Sequence, residues 1–286
     1  MSMDLSVVIA ARDVATTLGE QLDALLAQEW NGRWEIVVVD NGSTDGTAAL
    51  VEEYAGRDSR VRLVRAADGS GPSYARNVGF AAAASDSIAS CDGDDVVAPG
   101  WVQAMGEGLR EHACVTGPLD VDELNAVWLA ESRGRLATST PTWYGVFPIV
   151  AAGNLGIRRA TFDAVGGFDE RLRANEDHDL ALRLALAGVD VHHEPTALVH
   201  YRYRHEPREL WEQGLRYGTA RPLVWRRVRD AGLTPPSRFA GWRSWAWLVV
   251  HVASLRTAEG RASWVWVAGN RLGQVRGSIL HRTVFL

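Results

Sequence analysis

The sequence predicts an α/β fold in which helices flank a largely parallel sheet, followed by a helical appendage at the C-terminal end. Continuous apolar runs such as Leu5-Ser6-Val7-Val8-Ile9-Ala10 and Trp34-Glu35-Ile36-Val37-Val38-Val39 alternate with amphipathic stretches. Strands that lack in/out alternation are those covered on both faces of a parallel sheet. Two such runs end in aspartate, one at Asp40 and one at Asp92-Gly93-Asp94-Asp95. Ligands of open α/β sheets bind beyond the carboxyl ends of the strands, so the two acidic ends describe one polar rim. With 286 residues and 47% hydrophobic content, the chain can bury a substantial core.

Strands are expected near 5–10, 34–39, 61–64, 87–91 and 113–117, with helices near 15–28, 45–55, 72–84 and 99–110. Val14, Leu18, Leu22, Leu25 and Leu26 recur at helical spacing in the first helix. Pro72 follows the turn Asp68-Gly69-Ser70-Gly71, and Pro99 follows the acidic cluster. Both suit a first helical turn, where the missing N–H costs no hydrogen bond. Residues 119–150 read as irregular, with Pro141 and Pro148 and with Trp143, Tyr144 and Phe147 exposed on a substrate-facing loop. A helix is expected over 176–187, with Asn175 as N-cap, Leu180, Leu184 and Ala187 on one face and Gly188 as its stop. Glu176 and Asp177 then occupy its first turn. Strands near 190–193 and 196–203, a helix over 206–229, a break at Pro235-Pro236 and two Trp/Arg-rich helical segments complete the chain.

Cys91 and Cys114 lie in apolar, strand-like contexts without paired metal spacing, which predicts reduced, buried thiols. No basic or cleavable apolar segment precedes the first strand, so a cytoplasmic protein is expected, without a nucleic-acid partner. The net charge of −5 hides an asymmetry: residues 221–286 hold 11 Arg against Asp230 and Glu259, a net of +9, which leaves −14 for the first 220 residues. That tail also carries six of the twelve Trp residues, and its longest apolar stretch, around Trp245 to Leu255, is too short to span a bilayer.

Three carboxylates crowded at one strand end demand a cation. A solvated acidic turn would satisfy an isolated Asp-x-Asp. Joined to the Asp40 rim, the cluster suits a nucleotide diphosphate and its divalent metal.

Six segments resemble the family 2 glycosyltransferases in order and spacing. They are Ser6-Val7-Val8-Ile9-Ala10-Ala11-Arg12-Asp13, Val39-Asp40-Asn41-Gly42-Ser43-Thr44-Asp45-Gly46-Thr47, Ala75-Arg76-Asn77-Val78-Gly79, Asp92-Gly93-Asp94-Asp95, Gly166-Gly167-Phe168-Asp169 and Glu176-Asp177-His178-Asp179-Leu180. The resemblance covers roughly residues 5–218. It implies a GT-A fold with a catalytic domain over 1–220, divided into a nucleotide-binding half (1–118) and an acceptor-binding half (119–220), and a separate helical segment over 221–286. It also implies transfer of a sugar, of hexosyltransferase type, from a nucleotide diphosphate sugar to a hydroxyl acceptor with inversion. By the same resemblance Ala10, Ala11, Arg12 and Asp40 hold the nucleoside, and Arg76 reaches the base or the diphosphate. Asp92 approaches the ribose and Asp94 binds Mn²⁺ or Mg²⁺, with Asp95 in support.

The same likeness makes Asp177 the general base, although acidic residues in a first turn also complement the helix dipole without further purpose. Glu176 is a second contact for the acceptor. His200 has two equal readings, as a further metal ligand or as a structural hydrogen bonder; His192-His193 are read as structural only. Asn154 is read equally as a donor-sugar contact or as an ordinary loop residue. Gln213-Gly214-Leu215-Arg216-Tyr217 echoes the Gln-x-x-Arg-Trp of processive relatives with Tyr for Trp, which points to single addition and leaves Arg216 and Trp143 as acceptor-side candidates. The tail is open between a packed cap or homodimer interface and a peripheral membrane surface that would favour a lipid-linked acceptor. A sugar nucleotidyltransferase is the enzymatic rival, but Ala10-Ala11-Arg12-Asp13 is no glycine-rich phosphate loop. A noncatalytic carbohydrate-binding protein is the other alternative.

Overall fold

The computed structural model describes residues 3–133 and 142–285. The first part alternates as expected: β1 (Leu5–Ala11), α1 (Leu18–Leu26), β2 (Trp34–Asp40), α2 (Thr47–Arg57), β3 (Val61–Arg65), α3 (Pro72–Ala82) and β4 (Ser87–Asp92). Next come β5 (Val96–Val97), α4 (Trp101–Glu111) and β6 (Cys114–Thr116). β2 pairs in parallel with β1 and β3, and β1 in parallel with β4. Alternate residues of β1 and β2 feed two separate cores, Val8, Val37 and Val39 on one face and Val7, Ile9 and Val38 on the other. That two-sided burial is why these strands read as unbroken apolar runs. Glu35, an acidic side chain among the apolar residues of β2, is buried. It accepts from Arg62 Nε at 2.7 Å and from Ser6 Oγ at 2.7 Å, which satisfies it.

Residues 119–150 are more ordered than their sequence suggests. They contain β7 (Leu119–Asp120), α5 (Val127–Arg133) and a hairpin of β8 (Thr142–Trp143) and β9 (Phe147–Pro148). Pro141 lies outside the described residues. The expected exposure of the aromatics is corrected: Trp143 and Phe147 are only 5% and 2% exposed, and their rings stack at 5.4 Å. Only Tyr144, at the hairpin turn with φ +47°, is half exposed. An aromatic pair across a hairpin buries its rings against the core, and that apolar gain outweighs any use as a ligand surface.

β10 (Asn154–Arg158) and α6 (Arg159–Ala164) precede α7 (Glu176–Leu186), β11 (Val191–His193) and β12 (Val199–His200). β10 inserts antiparallel between β4 and β6, giving the sheet order β11-β6-β10-β4-β1-β2-β3. The sheet is therefore mixed beyond β4. α8 (Pro207–Asp230), α9 (Trp242–Val250), a 3₁₀ turn (Val252–Arg256) and α10 (Ala258–Leu280) follow. α8 runs unbroken through residue 220, so the expected division there falls inside one helix. Gly214 and Gly218 of α8 face Gly269, Gly273 and Gly277 of α10, and a Cβ at Gly218 would lie 2.1 Å from the Asn270 carbonyl oxygen. Backbone against backbone, α10 is packed onto the rest of the chain through α8.

Candidate active site

The parallel register fixes which side chains meet at the strand ends. Ala10 lies opposite Asp92 and Ala11 opposite Asp40, so β4, β1 and β2 end side by side. The loops after β1 and β2 are laced together. Asp13 Oδ1 accepts from Thr44 N at 2.7 Å, Asp45 Oδ2 from Ala15 N at 3.0 Å, and Thr47 Oγ1 from Val14 N at 3.0 Å. Asn41 donates to the Ala66 and Gly69 carbonyls and accepts from Gly71 N, which pins the loop before α3. Much of the Asp40–Thr47 motif is thus spent on holding the crevice open. Asp40 itself is buried and accepts from Ser43 N at 3.1 Å, while Arg12 projects into solvent beside Asp13.

Asp92, Asp94 and Asp95 offer oxygens that all lie within 4.8 Å of one another. Arg204 Nη2 donates to Asp94 Oδ2 at 2.6 Å, and Asp95 Oδ1 accepts from Arg202 N at 2.8 Å. Asp95 is 1% exposed and its Oδ2 has no hydrogen-bond partner. Burial, then the charge of Asp92, pushes the Asp94 carboxyl above its usual range. Burial, then Asp94 and Asp92, pushes Asp95 well above it. A buried, unpartnered carboxylate oxygen beside two more carboxylates is chemistry that a hard divalent cation completes. Gly153 leaves that face clear, since a Cβ there would stand 2.7 Å from Asp92 Oδ2. The residues present therefore fit Mg²⁺ or Mn²⁺.

His200 does not join this cluster. Its Nδ1 lies 2.9 Å from Asp120 Oδ2 across the β12–β7 ladder, where Val199 and His200 pair with Leu119 and Asp120. Burial would raise the Asp120 carboxyl, but this contact and the N–H groups of Asp122 and Glu123 outweigh it and hold it below the usual range. The structural reading of His200 is the one its contacts fill. Arg202 and Arg204 instead meet the aspartates, and sequence reading missed them. The signal was alternation, since residues 200, 202 and 204 share one side of an extended segment.

Arg76 lines the same cavity and pairs with two of its carboxylates. It is buried, donating through Nη1 to Glu176 Oε1 at 2.7 Å and through Nη2 to Asp92 Oδ1 at 2.6 Å. Burial would lower its pKa, but the two carboxylates hold it above the ordinary value. Its guanidinium therefore bridges the aspartate cluster to the start of α7. There, burial outweighs Arg76 and raises Glu176. Asp177, partly exposed, accepts from His178 N at 2.7 Å with His178 Nδ1 at 3.0 Å. Burial acts to raise the Asp177 carboxyl, but His178 outweighs it and leaves the group below its usual pKa. A carboxylate so held is ionised at neutral pH and ready to accept a proton.

Asn175 is the N-cap residue of α7 as expected, but it is left-handed (φ +56°) and its side chain makes no cap bond; its Nδ2 donates to the Tyr217 carbonyl at 2.9 Å instead. That bond ties the start of α7 to α8. One cavity of about 730 Å³ is lined by Asp92, Asp94, Asp95, Glu176 and Asp177, together with Arg216 and Tyr217 of α8 and Trp247 and Trp266 of the tail. Two sequence candidates are not available to it. Trp143 is core, as described above. Asn154 is fully buried, accepting from Trp101 Nε1 and donating to the Pro118 and Ala197 carbonyls. Its amide is saturated and cannot reach a ligand.

Residues 6–166, more than half of the chain, match the family model Glycosyl transferase family 2, and residues 130–254 match Glycosyltransferase like family 2. The pre-mycofactocin glycosyltransferase of Mycobacterium tuberculosis is 29% identical over 283 residues, covering 93% of this chain and 56% of that protein. The succinoglycan biosynthesis protein ExoO of Rhizobium meliloti is 33% identical over 218 residues, 70% of this chain and 61% of ExoO. The chain thus spans little more than half the length of these relatives. Among solved structures, the mannosyltransferase PcManGT from Pyrobaculum calidifontis, in complex with GDP-Man and Mn²⁺, is 18% identical, with a TM-score of 0.69 over 97% of this chain and 87% of its own. S. aureus TarS 1-349 in complex with UDP-GlcNAc is 17% identical, with a TM-score of 0.58 over 98% of this chain and 93% of its own. The fold is that of GT-A glycosyltransferases.

Proposed function

Since the chain belongs to glycosyl transferase family 2, we propose that it transfers a sugar from a nucleotide diphosphate sugar to a hydroxyl acceptor with inversion. The observation that carries this reading is the cavity in which the aspartate cluster and the Asp177 carboxylate face common space, with Arg76 bridging Asp92 to Glu176, the neighbour of Asp177. In the displacement, the acceptor oxygen attacks the anomeric carbon, the bond from that carbon to the diphosphate oxygen breaks, and Asp177 takes the acceptor's proton. Ionised Asp177 and its orientation by His178 support that role. Asp92, Asp94 and Asp95 would hold Mg²⁺ or Mn²⁺, whose chemistry when bound is to stabilise negative charge on a leaving diphosphate. Ala10, Ala11 and Asp40 stand at the neighbouring strand ends for the nucleoside, and Arg216 lines the acceptor side.

A nucleotide diphosphate sugar should raise the melting temperature in the presence of Mn²⁺ and not in its absence, because a ligand that binds only the folded state stabilises it by mass action. Slow hydrolysis of that donor by the purified chain is the second expected result. A donor that stabilises the protein but is never hydrolysed or transferred would favour the noncatalytic carbohydrate-binding alternative.

A peripheral position on the inner membrane face is part of the same proposal. Among the described residues no helix is long and apolar enough to cross a membrane. Yet α9 buries only Leu248, while Trp242, Val249 and Val250 are 64%, 77% and 75% exposed, with Arg243 on the helix and Arg238 and Arg256 flanking it. Exposed apolar residues set among arginines suit an anionic lipid interface. Co-sedimentation with vesicles containing phosphatidylglycerol should be strong at low salt and fall steeply as salt rises. Indifference to these vesicles at low salt would assign the face to a second copy of the chain.

A further inference from the structure

A second cavity, of about 230 Å³, lies beside the active site between α8, α10 and the β8–β9 hairpin. Arg221, Trp266 and Val267 line both cavities, so the two share a wall. Arg221 Nη1 and Arg271 Nη2 both donate to Asn270 Oδ1, at 3.2 and 3.0 Å. Two guanidinium groups therefore converge on one neutral oxygen. Among the described residues no carboxylate forms an ion pair with either. Arg271 is 7% exposed and its Nε has no hydrogen-bond partner; Asn270 is 1% exposed and its Nδ2 has none either. Because Asn270 Oδ1 serves both arginines, the amide orientation is fixed and Nδ2 is left as a second unfilled donor beside Arg271 Nε.

Such a group of buried donors costs stability unless an anion completes it. Burial and the like charge of Arg221 bring the Arg271 pKa down to about 10. Convergent guanidinium forks with an amide N–H match the several oxygens of a phosphate. Arg221 lies one helical turn beyond Tyr217, and the Tyr217 carbonyl holds Asn175, the residue immediately before Glu176 and Asp177. The cavity is thus on the side of the proposed base. We propose that Arg221, Asn270 and Arg271 form a subsite for a phosphate group carried by the acceptor. This rests on the glycosyl-transfer reading for the word acceptor, and on the cavity alone for the phosphate.

The test uses the full chain, freed of metal with EDTA and held at constant ionic strength, with inorganic phosphate as the calorimetric probe. Vesicles of phosphatidylcholine with phosphatidic acid form a second arm. Saturable phosphate binding should weaken at least tenfold in Arg271→Gln and in Arg221→Gln, the latter at a partly exposed position that guards against a folding defect in the former. Binding of a nucleotide diphosphate in Mn²⁺ should be unchanged in Arg271→Gln. Loss with both probes supports a phosphate site open to soluble and lipid phosphates alike, and loss confined to vesicles assigns it to a lipid headgroup. Dependence on neither arginine with either probe overturns the proposal. If the parent protein binds no nucleotide diphosphate while phosphate uptake still requires Arg271, the glycosyl-transfer reading fails and the phosphate site stands.

Discussion

Asp177→Asn should bind the donor with the parent's affinity and lose about 10²–10⁴ of its transfer rate, the usual cost of removing a general base. The amide keeps the shape of the carboxylate and can still accept the His178 N–H bond of 2.7 Å. It cannot take the acceptor's proton. Steady-state transfer combined with calorimetric titration of the donor separates the two effects. A rate within a few-fold of the parent would move the role to another residue. Glu176 is poorly suited to inherit it, because it is buried and Arg76 Nη1 occupies one of its oxygens. A full loss in Asp177→Asn with donor affinity intact would place the proton acceptor at the first turn of α7.

Asp94→Ala should abolish metal-dependent nucleotide binding, a loss of more than about 10²-fold, since outer-shell partners alone are worth about 10–100-fold in metal affinity. The fold should survive. Asp92 pushes the Asp94 carboxyl upward, and Asp94 in turn pushes that of the buried Asp95 upward, so removing Asp94 relieves repulsion in the absence of a cation. The variant should therefore melt, without metal, at or above the parent's temperature while losing the Mn²⁺-induced rise. Calorimetry in Mn²⁺ checks the first part and thermal unfolding the second. Unchanged nucleotide affinity in Mn²⁺ would remove Asp94 from the site. A large drop in melting temperature would show that its bond to Arg204 matters to stability more than the repulsion does.

The strands and helices from β1 to α4 were legible because two-sided burial writes continuous apolar runs and because proline and glycine mark the turns. The crowding of Asp92, Asp94 and Asp95 was legible for the same local reason, three acidic residues at one strand end. The placement of β10, between β4 and β6 and antiparallel to both, was not. Strand direction and neighbour order depend on pairing between segments tens of residues apart, Asn154 with Cys91 and Leu155 with Thr116, and no local spacing records it. The roles of Asn154 and Trp143 were misread because both sit in polar or irregular text, while their burial is decided by long-range packing.

The family, the α/β alternation and the acidic rim are written in runs of a few residues whose local chemistry has few alternatives. The tertiary structure alone decided the partners of charge. It set Arg76 between Asp92 and Glu176, across 100 residues of chain, and gave Arg202 and Arg204 to the aspartates while His200 went to Asp120. It also brought Arg221 and Arg271 onto one amide through the close glycine packing of α8 on α10. The physical reason is that a salt bridge or charge-assisted hydrogen bond forms only at contact, within a reach of about 4 Å. Which charge lies within that reach depends on the packing of elements far apart in the chain, a property of the fold and not of any segment in it.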